Sequence, residues 1–197
     1  MLILFDLDGV LVNTADIHST ILKQVVKEQV SIDASNQPYL IASDGLRTVD
    51  KLQKLQVQYN LSDEVINTIN RNKVELTISA LHTIPQNKDI EEIINFIKSK
   101  KILTGIGSNT RRQYLDIILS RLNITVDFTL AGDEVINPKP HPEIFNKIIH
   151  FLNKKSSDTI IFEDSDAGIE AANQTGATVV RINPNILLRK KDILNIL

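Results

Sequence analysis

The chain has 197 residues, of which 42% are hydrophobic, with 22 basic and 24 acidic side chains and no cysteine. This composition is typical of a globular protein and excludes collagen-like, low-complexity and strongly disordered chains, and the lack of cysteine excludes disulfides, zinc–thiolate sites and a cysteine nucleophile. The formal charge of −2 does not favour a nucleic-acid-binding protein, which usually carries a basic excess.

The first predicted element is a strand over Leu2 to Phe5, a short apolar run that ends in Asp6, Asp8 and Gly9. Such a run is typical of a strand that is buried on both faces of a parallel sheet. The acidic residues interrupt the apolar run, so we expect no signal peptide. No stretch reaches the length of about 18 apolar residues that a membrane span needs. We therefore expect a cytoplasmic protein with no membrane and no nucleic-acid partner.

Residues 14–82 are predicted to form helices only. The three expected helices cover 14–29, 48–58 and 62–81. A helical stretch of this length between the first and second strands predicts an inserted cap domain. The catalytic core is then predicted to consist of residues 1–13 together with 83–197.

Beyond the insert, strand-like runs alternate with amphipathic helical patterns. The predicted strands cover 102–106, 128–130, 159–162 and 177–182. The helical patterns cover 90–97, 115–122 and 144–149, and a final amphipathic helix is expected over 186–197. This alternation predicts an α/β fold, namely a Rossmann-like open parallel sheet of about five strands with ligands bound at the carboxyl ends of the strands.

The motif DLDGV places Asp6 and Asp8 at the end of the first predicted strand. Two carboxylates this close together repel each other unless a divalent cation or a proton relieves the repulsion. Oxygen ligands of this kind suit Mg²⁺. The alternative interpretation is a solvated acidic turn.

Three more polar segments follow predicted strands. Ser108 and Asn109 precede a helix whose N-terminus favours an anion, although both residue types are also ordinary helix caps. Lys139 lies between two prolines, which could hold its charge towards a phosphate or a carboxylate. The alternative interpretation is a solvated lysine. Glu163 and Asp164 end another strand, where acidic residues bind a metal or stabilise the helix that follows.

These segments occur in the order and at the approximate spacing of a known family. DLDGV, SN, KPHPEIF and EDSDAGIEAA resemble the motifs of the haloacid dehalogenase superfamily of phosphohydrolases and phosphomutases, from Leu2 to about Ile182. The helical insert resembles that of the subfamily that has its cap between the first two motifs, which includes the β-phosphoglucomutases. The resemblance implies a haloacid-dehalogenase-like core with a helical cap.

The resemblance also implies a role for each motif residue. Asp6 is the expected nucleophile, which forms an aspartyl-phosphate, and Asp8 is the expected general acid and base, which separates phosphatases from dehalogenases in this superfamily. The implied Mg²⁺ ligands are Asp6, the main-chain carbonyl of Asp8, and Asp164, with Glu163 binding directly or through water. The residues implied to hold the phosphoryl oxygens are Ser108, Asn109 and Lys139.

Three residues of the insert are candidates for substrate contact. His18 and Lys73 occupy positions where relatives often have a histidine and a lysine facing the substrate, although both are also consistent with exposed helix positions. Arg47, in the motif DGLR, follows the glycine by two positions, whereas the β-phosphoglucomutases have an arginine three positions after it. The register of this loop therefore stays open. No partner can be assigned to Arg111 and Arg112, for which we expect surface roles.

The predicted function is a Mg²⁺-dependent phosphatase of a small phosphorylated metabolite such as a sugar phosphate, acting as a monomer or weak homo-oligomer. A phosphomutase of the β-phosphoglucomutase type uses the same core and stays open. A signalling receiver domain also uses acidic residues, a Ser/Thr and a Lys, but it has no large helical insert after its first strand. A non-catalytic phosphometabolite-binding protein is a further alternative.

Overall fold

A computed structural model of the protein describes residues 1–32, 47–183 and 186–194. Its strands form one five-stranded sheet in the order β3-β2-β1-β4-β5, and all neighbouring strands are parallel. The strands are β1 (Leu2–Phe5), β2 (Leu103–Ser108), β3 (Phe128–Ala131), β4 (Thr159–Glu163) and β5 (Thr178–Arg181). This sheet confirms the predicted Rossmann-like α/β fold.

The α-helices in the described part of the chain are α1 (Ala15–Val30), α2 (Thr48–Tyr59), α3 (Asp63–Leu81), α4 (Lys88–Ser99), α5 (Arg112–Leu122), α6 (Glu143–Phe151), α7 (Asp166–Asn173) and α8 (Lys190–Leu194). The three helices of the insert end within one residue of their predicted bounds. The final helix, predicted over 186–197, is shorter and begins only at Lys190. None of the helices in the described ranges is both long and apolar enough to cross a membrane.

The central strand β1 is held by apolar packing on both faces of the sheet. Ile3 and Phe5 join the cluster that includes α4, α5 and α8, and Leu2 and Leu4 join the cluster with α6 and α7. This division follows from the alternation of side chains along a strand. All four side chains are fully buried, and each contributes about 1.5–3 kcal/mol of hydrophobic stabilisation. Asp6, the next residue, is therefore attached to a rigidly packed strand.

The helices of the insert pack against one another around an apolar cluster of their own. Its buried members are Ile21, Leu22, Val25, Val26, Leu52, Leu55 and Ile69. The N-terminus of α3 is capped by Ser62, whose hydroxyl accepts a hydrogen bond from the N–H of Val65. Helix α3 also contacts α5, so the insert lies against the core. Residues 44–46 of the DGLR motif lie outside the described residues.

Candidate active site

Polar residues from four segments meet at the carboxyl edge of the sheet. Asp6 follows β1, Ser108 ends β2, Glu163 ends β4, and Lys139 comes from the connection between β3 and α6. All of them line one cavity of about 680 Å³, which the insert covers from the other side. In parallel α/β sheets this edge is the usual place for ligands. The convergence that the motifs predict is therefore present.

Lys139 joins two acidic residues at the floor of the cavity. Its Nζ atom lies 2.5 Å from Oδ1 of Asp6 and 2.6 Å from Oε1 of Glu163. Burial by itself lowers the pKa of Lys139, but the two carboxylates outweigh burial and hold the pKa above its ordinary value. The lysine is therefore positively charged at neutral pH.

The Asp6 carboxyl group is in an electrostatically strained position. Burial raises the pKa of Asp6 well above its usual range, Lys139 lowers it, and Glu163 and Asp164 raise it again. Three carboxyl groups thus share one ammonium group. A further positive charge at this place would stabilise the ionised form of Asp6.

Glu163 is fully buried, and both of its carboxylate oxygens have partners. Oε1 accepts from Lys139, and Oε2 accepts hydrogen bonds from the main-chain N–H groups of Asp164 (2.8 Å) and Ser165 (2.9 Å). Gly168 makes room for this carboxylate, because a Cβ atom at that position would lie 1.7 Å from Oε1. In this structure Glu163 supports Lys139, and its predicted role as a metal ligand stays a prediction.

The Asp164 carboxylate lies over the turn that follows β1. A Cβ atom on Gly9 would be 2.1 Å from Oδ2 of Asp164, and Gly9 has a φ of +84°, which also favours glycine. Burial, and then the repulsion from Glu163, raises the pKa of Asp164 to about 6. Because β4 pairs directly with β1 and Phe162 lies opposite Phe5, Asp164 leaves the sheet one residue beyond the level of Asp6 on the neighbouring strand.

The oxygen donors at this edge fit Mg²⁺. Among the described residues, no three His, Asp or Glu side chains form a complete metal-binding cluster. Mg²⁺ does not need one, since it usually binds one or two carboxylates and keeps several waters. Asp6 and Asp164 supply two carboxylates whose pKa values are raised by burial and by neighbouring carboxylates. The donor set and its unbalanced negative charge are both consistent with a divalent cation.

Asp8 follows Asp6 by two residues and is held by Thr14, whose hydroxyl donates a hydrogen bond to Oδ1 of Asp8. Burial raises the pKa of Asp8, and the hydrogen bonds from Thr14 partly oppose this. A carboxyl group with a raised pKa stays protonated closer to neutral pH, as a general acid requires. Thr14 precedes α1 and was not predicted as a site residue, because no motif of the sequence marks it.

Ser108 and Asn109 both organise the loops around the cavity. The N–H of Thr110 donates to the hydroxyl of Ser108 at 3.2 Å. The side chain of Asn109 binds the main chain of Lys139, because Nδ2 donates to the carbonyl (3.2 Å) and Oδ1 accepts from the N–H (3.1 Å). The contact of these two residues with a phosphoryl group stays a prediction.

The three candidate residues of the insert all line the cavity. Nδ1 of His18 lies 3.3 Å from Nζ of Lys73, which in turn lies 5.2 Å from the ring centre of Tyr114. Both His18 and Lys73 are therefore packed between the insert and the core rather than exposed on a helix. Arg47 makes two hydrogen bonds to the Asp50 carboxylate, at 3.0 and 3.1 Å.

Two cavity residues were not identified from the sequence. Lys51 is buried on α2, one turn before the buried residue Leu55. A lysine on the apolar face of a predicted helix is unusual, and this position could have indicated a buried functional residue. The surface role expected for Arg111 is wrong, because Arg111 lines the cavity and its Nη2 donates to Oδ1 of Asn70 at 2.8 Å. Arg112 pairs with Glu134 instead.

Comparisons with known proteins show what the whole chain is similar to. A family model described as haloacid dehalogenase-like hydrolase matches residues 3–182. A phosphorylated carbohydrates phosphatase of Thermotoga maritima is 27% identical over 180 residues, which cover 88% of this chain and 81% of that protein. The β-phosphoglucomutase of Bacillus subtilis is 26% identical over 196 residues, which cover 91% and 82%.

A solved structure shows the same architecture. The crystal structure of β-phosphoglucomutase from Clostridium difficile superposes with a TM-score of 0.81 at 26% sequence identity, covering 97% of this chain and 92% of that chain. The similarity therefore includes the insert as well as the sheet.

Proposed function

Since the chain belongs to the haloacid dehalogenase-like hydrolase family and is a phosphoric monoester hydrolase, we propose that it is a Mg²⁺-dependent phosphatase of a small phosphorylated sugar. The observation that carries this proposal is the contact of Lys139 with both Asp6 and Glu163 at the carboxyl end of the central strands. This contact supports a reaction centre in which Asp6 is the nucleophile and Lys139 is the phosphate-binding cation. The carbohydrate phosphatase among its relatives supports a sugar phosphate as substrate.

We propose that the chain is divided into a catalytic core, residues 1–13 and 83–197, and a cap, residues 14–82. The separate apolar cluster of the insert supports this division. The cap covers the cavity and thereby limits the access of bulk water to the reacting groups. Cap residues then select the substrate, while the sheet edge supplies the chemistry.

In the proposed reaction a carboxylate oxygen of Asp6 attacks the phosphorus atom, and the bond to the sugar oxygen breaks. Asp8 gives its proton to that oxygen, so the sugar leaves as a neutral hydroxyl compound. The resulting Asp8 carboxylate then takes a proton from water, and the hydroxide attacks the aspartyl-phosphate. Inorganic phosphate is released and Asp6 is restored. Ser108, Asn109 and Lys139 hold the phosphoryl oxygens during both steps.

The proposed ligands of Mg²⁺ are Asp6, Asp164 and the main-chain carbonyl of Asp8, with Glu163 binding directly or through water. When bound, the cation neutralises negative charge on the phosphoryl group. Lys139 contributes a second positive charge, and its hydrogen bond to Glu163 fixes its position. Phosphoryl transfer depends mainly on such positioning and charge neutralisation.

The test is phosphate release from a panel of hexose, pentose and triose phosphates, with Mg²⁺ and with EDTA. We expect release that requires Mg²⁺, and we expect the Asp6→Asn variant to lose at least about 10³-fold in kcat because an amide is a poor nucleophile. Release that continues in EDTA or in Asp6→Asn would contradict the proposal. Asp158→Asn, a substitution of the same type at an exposed position before β4, is the matched control.

A phosphomutase is the second candidate, because the chain is similar to β-phosphoglucomutases along nearly its whole length. Conversion of a hexose 1-phosphate into its 6-phosphate, without net phosphate release, would identify this activity. If neither assay shows turnover while the same compounds bind, the protein is a non-catalytic phosphometabolite-binding protein.

A further inference from the structure

Arg112 begins α5, shortly after the end of β2. The three residues at that end, 108–110, all line the cavity and are called the cavity segment below. Arg112 itself is not part of the cavity wall in the described part of the chain. Its guanidinium group instead binds strand β3 and the turn 132–134 that follows this strand. The function proposed above gives Arg112 no role.

The guanidinium group of Arg112 makes several hydrogen bonds across the sheet edge. Nε donates to Oε1 of Glu134 at 3.1 Å, and Nη2 donates to Oε2 of the same carboxylate. Nη1 donates to the hydroxyl of Thr129 at 2.8 Å, and Nη2 donates to the main-chain carbonyl of Thr129 at 3.1 Å. Nη1 also lies 3.3 Å from Oδ1 of Asp116, on the next turn of α5. Such a two-point contact holds a carboxylate in one orientation.

The turn 132–134 also binds the main chain of Arg112. Oδ1 of Asp133 accepts a hydrogen bond from the N–H of Arg112 at 2.9 Å. This N–H belongs to the first turn of α5, where a helix cannot supply its own acceptor. Oε2 of Glu134 also accepts a hydrogen bond from the N–H of Ala131 at 2.8 Å. The two adjacent acidic residues therefore bind Arg112 at its main chain and at its side chain.

The turn 132–134 is in direct contact with the cavity segment. The N–H of Gly132 donates a hydrogen bond to the carbonyl of Thr110 at 2.8 Å. A Cβ atom on Gly132 would lie 2.4 Å from the carbonyl oxygen of Asn109, so the two main chains are packed closely together. A displacement of this turn would therefore also move Asn109 and Thr110.

We propose that Arg112 is a positioning residue, which acts through Glu134 and the turn 132–134 on the cavity segment. It keeps Ser108 and Asn109 at the places where they bind the phosphoryl oxygens. This inference rests on the proposed phosphatase function, which assigns these two residues to the phosphoryl group. The side chains of Arg112 and Glu134 are 30% and 37% exposed, so their ion pair is screened by water and contributes geometry more than stability.

The first test measures the binding of inorganic phosphate, in the presence of Mg²⁺, to the wild type and to Arg112→Gln. We expect the Kd of phosphate to rise about tenfold and kcat/KM for the best sugar phosphate to fall at least about tenfold, because small displacements of binding groups are costly. Both are measured well below the unfolding transition. If Arg112→Gln does not fold, Arg112→Lys, which keeps the charge but loses the two-point contact, should raise the Kd about threefold.

A double-mutant cycle tests the route of this effect. Glu134→Gln is expected to weaken phosphate binding by a similar factor. The double variant Arg112→Gln/Glu134→Gln should bind phosphate no more weakly than either single variant, because both changes remove the same contact. Arg189→Gln, which breaks an ion pair with Asp192 next to α8, is the matched control and should leave the Kd of phosphate and kcat/KM unchanged.

The inference is wrong if Arg112→Gln lowers only the unfolding midpoint, while the folded variant binds phosphate and turns over substrate like the wild type. Fully additive effects of Arg112→Gln and Glu134→Gln on the Kd of phosphate, or an equal loss in Arg189→Gln, would also overturn it. The proposed function fails in a different way. If the wild type hydrolyses no sugar phosphate but binds inorganic phosphate in a manner that depends on Arg112, only the phosphatase function is contradicted.

Discussion

The side chain of Asn109 makes two hydrogen bonds to the main chain of Lys139, one to the carbonyl and one from the N–H, although the two residues are 30 positions apart in the sequence. This contact places the backbone of the lysine, while Asp6 and Glu163 place its ammonium group. The position of Lys139 in the cavity is therefore determined at both ends of the residue.

Asn109→Ala is expected to lower kcat/KM by about 10- to 100-fold, because a misplaced catalytic group reacts poorly. It should also lower the free energy of unfolding by about 1–2 kcal/mol, since two hydrogen bonds are lost. Phosphate-release kinetics and urea denaturation measure these effects. Asn146→Ala, at an exposed position of α6, serves as the control. If KM alone rises while the stability is unchanged, Asn109 acts as a phosphate ligand and not through Lys139.

Gly168→Ala is expected to reduce both stability and activity, because the added methyl group overlaps the Glu163 carboxylate. Shortening that side chain in Glu163→Asp should relieve the overlap. The double variant should then be more stable than the sum of the two single effects predicts, with a coupling of about 0.5–3 kcal/mol, as expected for residues in direct contact. Strictly additive unfolding free energies in a double-mutant cycle would show that the two residues do not compete for this space.

Asp8→Asn is expected to lower the rate of hydrolysis by a factor that depends on the leaving group of the substrate. A sugar alkoxide needs a proton from the general acid, whereas p-nitrophenolate leaves without one, so the loss should be at least about tenfold larger for a sugar phosphate than for p-nitrophenyl phosphate. Single-turnover measurements of the first chemical step on both substrates test this. Equal losses would remove Asp8 from the role of general acid. Thr14→Val, which deletes the hydrogen bond to Asp8, should show the same trend more weakly.

The stability of the protein should depend on pH through His18. Its pKa falls from 6.5 to about 3 on folding, so between these values the unfolded chain binds more protons than the folded chain. The free energy of unfolding therefore decreases as the pH falls through this window, by up to about 1.4 kcal/mol per pH unit from this residue. Urea denaturation between pH 4.5 and 7 should show a smaller slope for His18→Gln, but not for the exposed His150→Gln. Equal slopes in the wild type and His18→Gln would contradict this origin.

The sheet and its polar edge were predictable because their signals are local. The run Leu2–Phe5 indicated a strand buried on both faces, and the acidic residues after it indicated the edge at which ligands bind. Lys139 and Asp164 were assigned from their motifs, and the structure brings them to the same cavity as Asp6. Local patterns suffice here because parallel strands align their carboxyl ends.

Other features depend on contacts between distant segments, so no local pattern reveals them. The two hydrogen bonds between the Asn109 side chain and the main chain of Lys139 join segments 30 residues apart, and no motif indicated them. Arg111 looks like an ordinary surface residue in the sequence, whereas in the structure it lines the cavity and donates a hydrogen bond to Asn70. The final helix is shorter than its apolar pattern indicated, since that pattern does not determine where the first turn begins.

Two apolar clusters lie on the faces of the sheet, whereas α1, α2 and α3 enclose a third one of their own. Substitutions within α2 can therefore be absorbed by a few neighbouring helical side chains, while the strand that carries Asp6 keeps its packing. Substitutions in α2 can thus change substrate recognition while the positions of the catalytic residues are kept. Laboratory evolution towards a new phosphoester would best direct its mutations at the inward face of α2 and leave the sheet edge untouched.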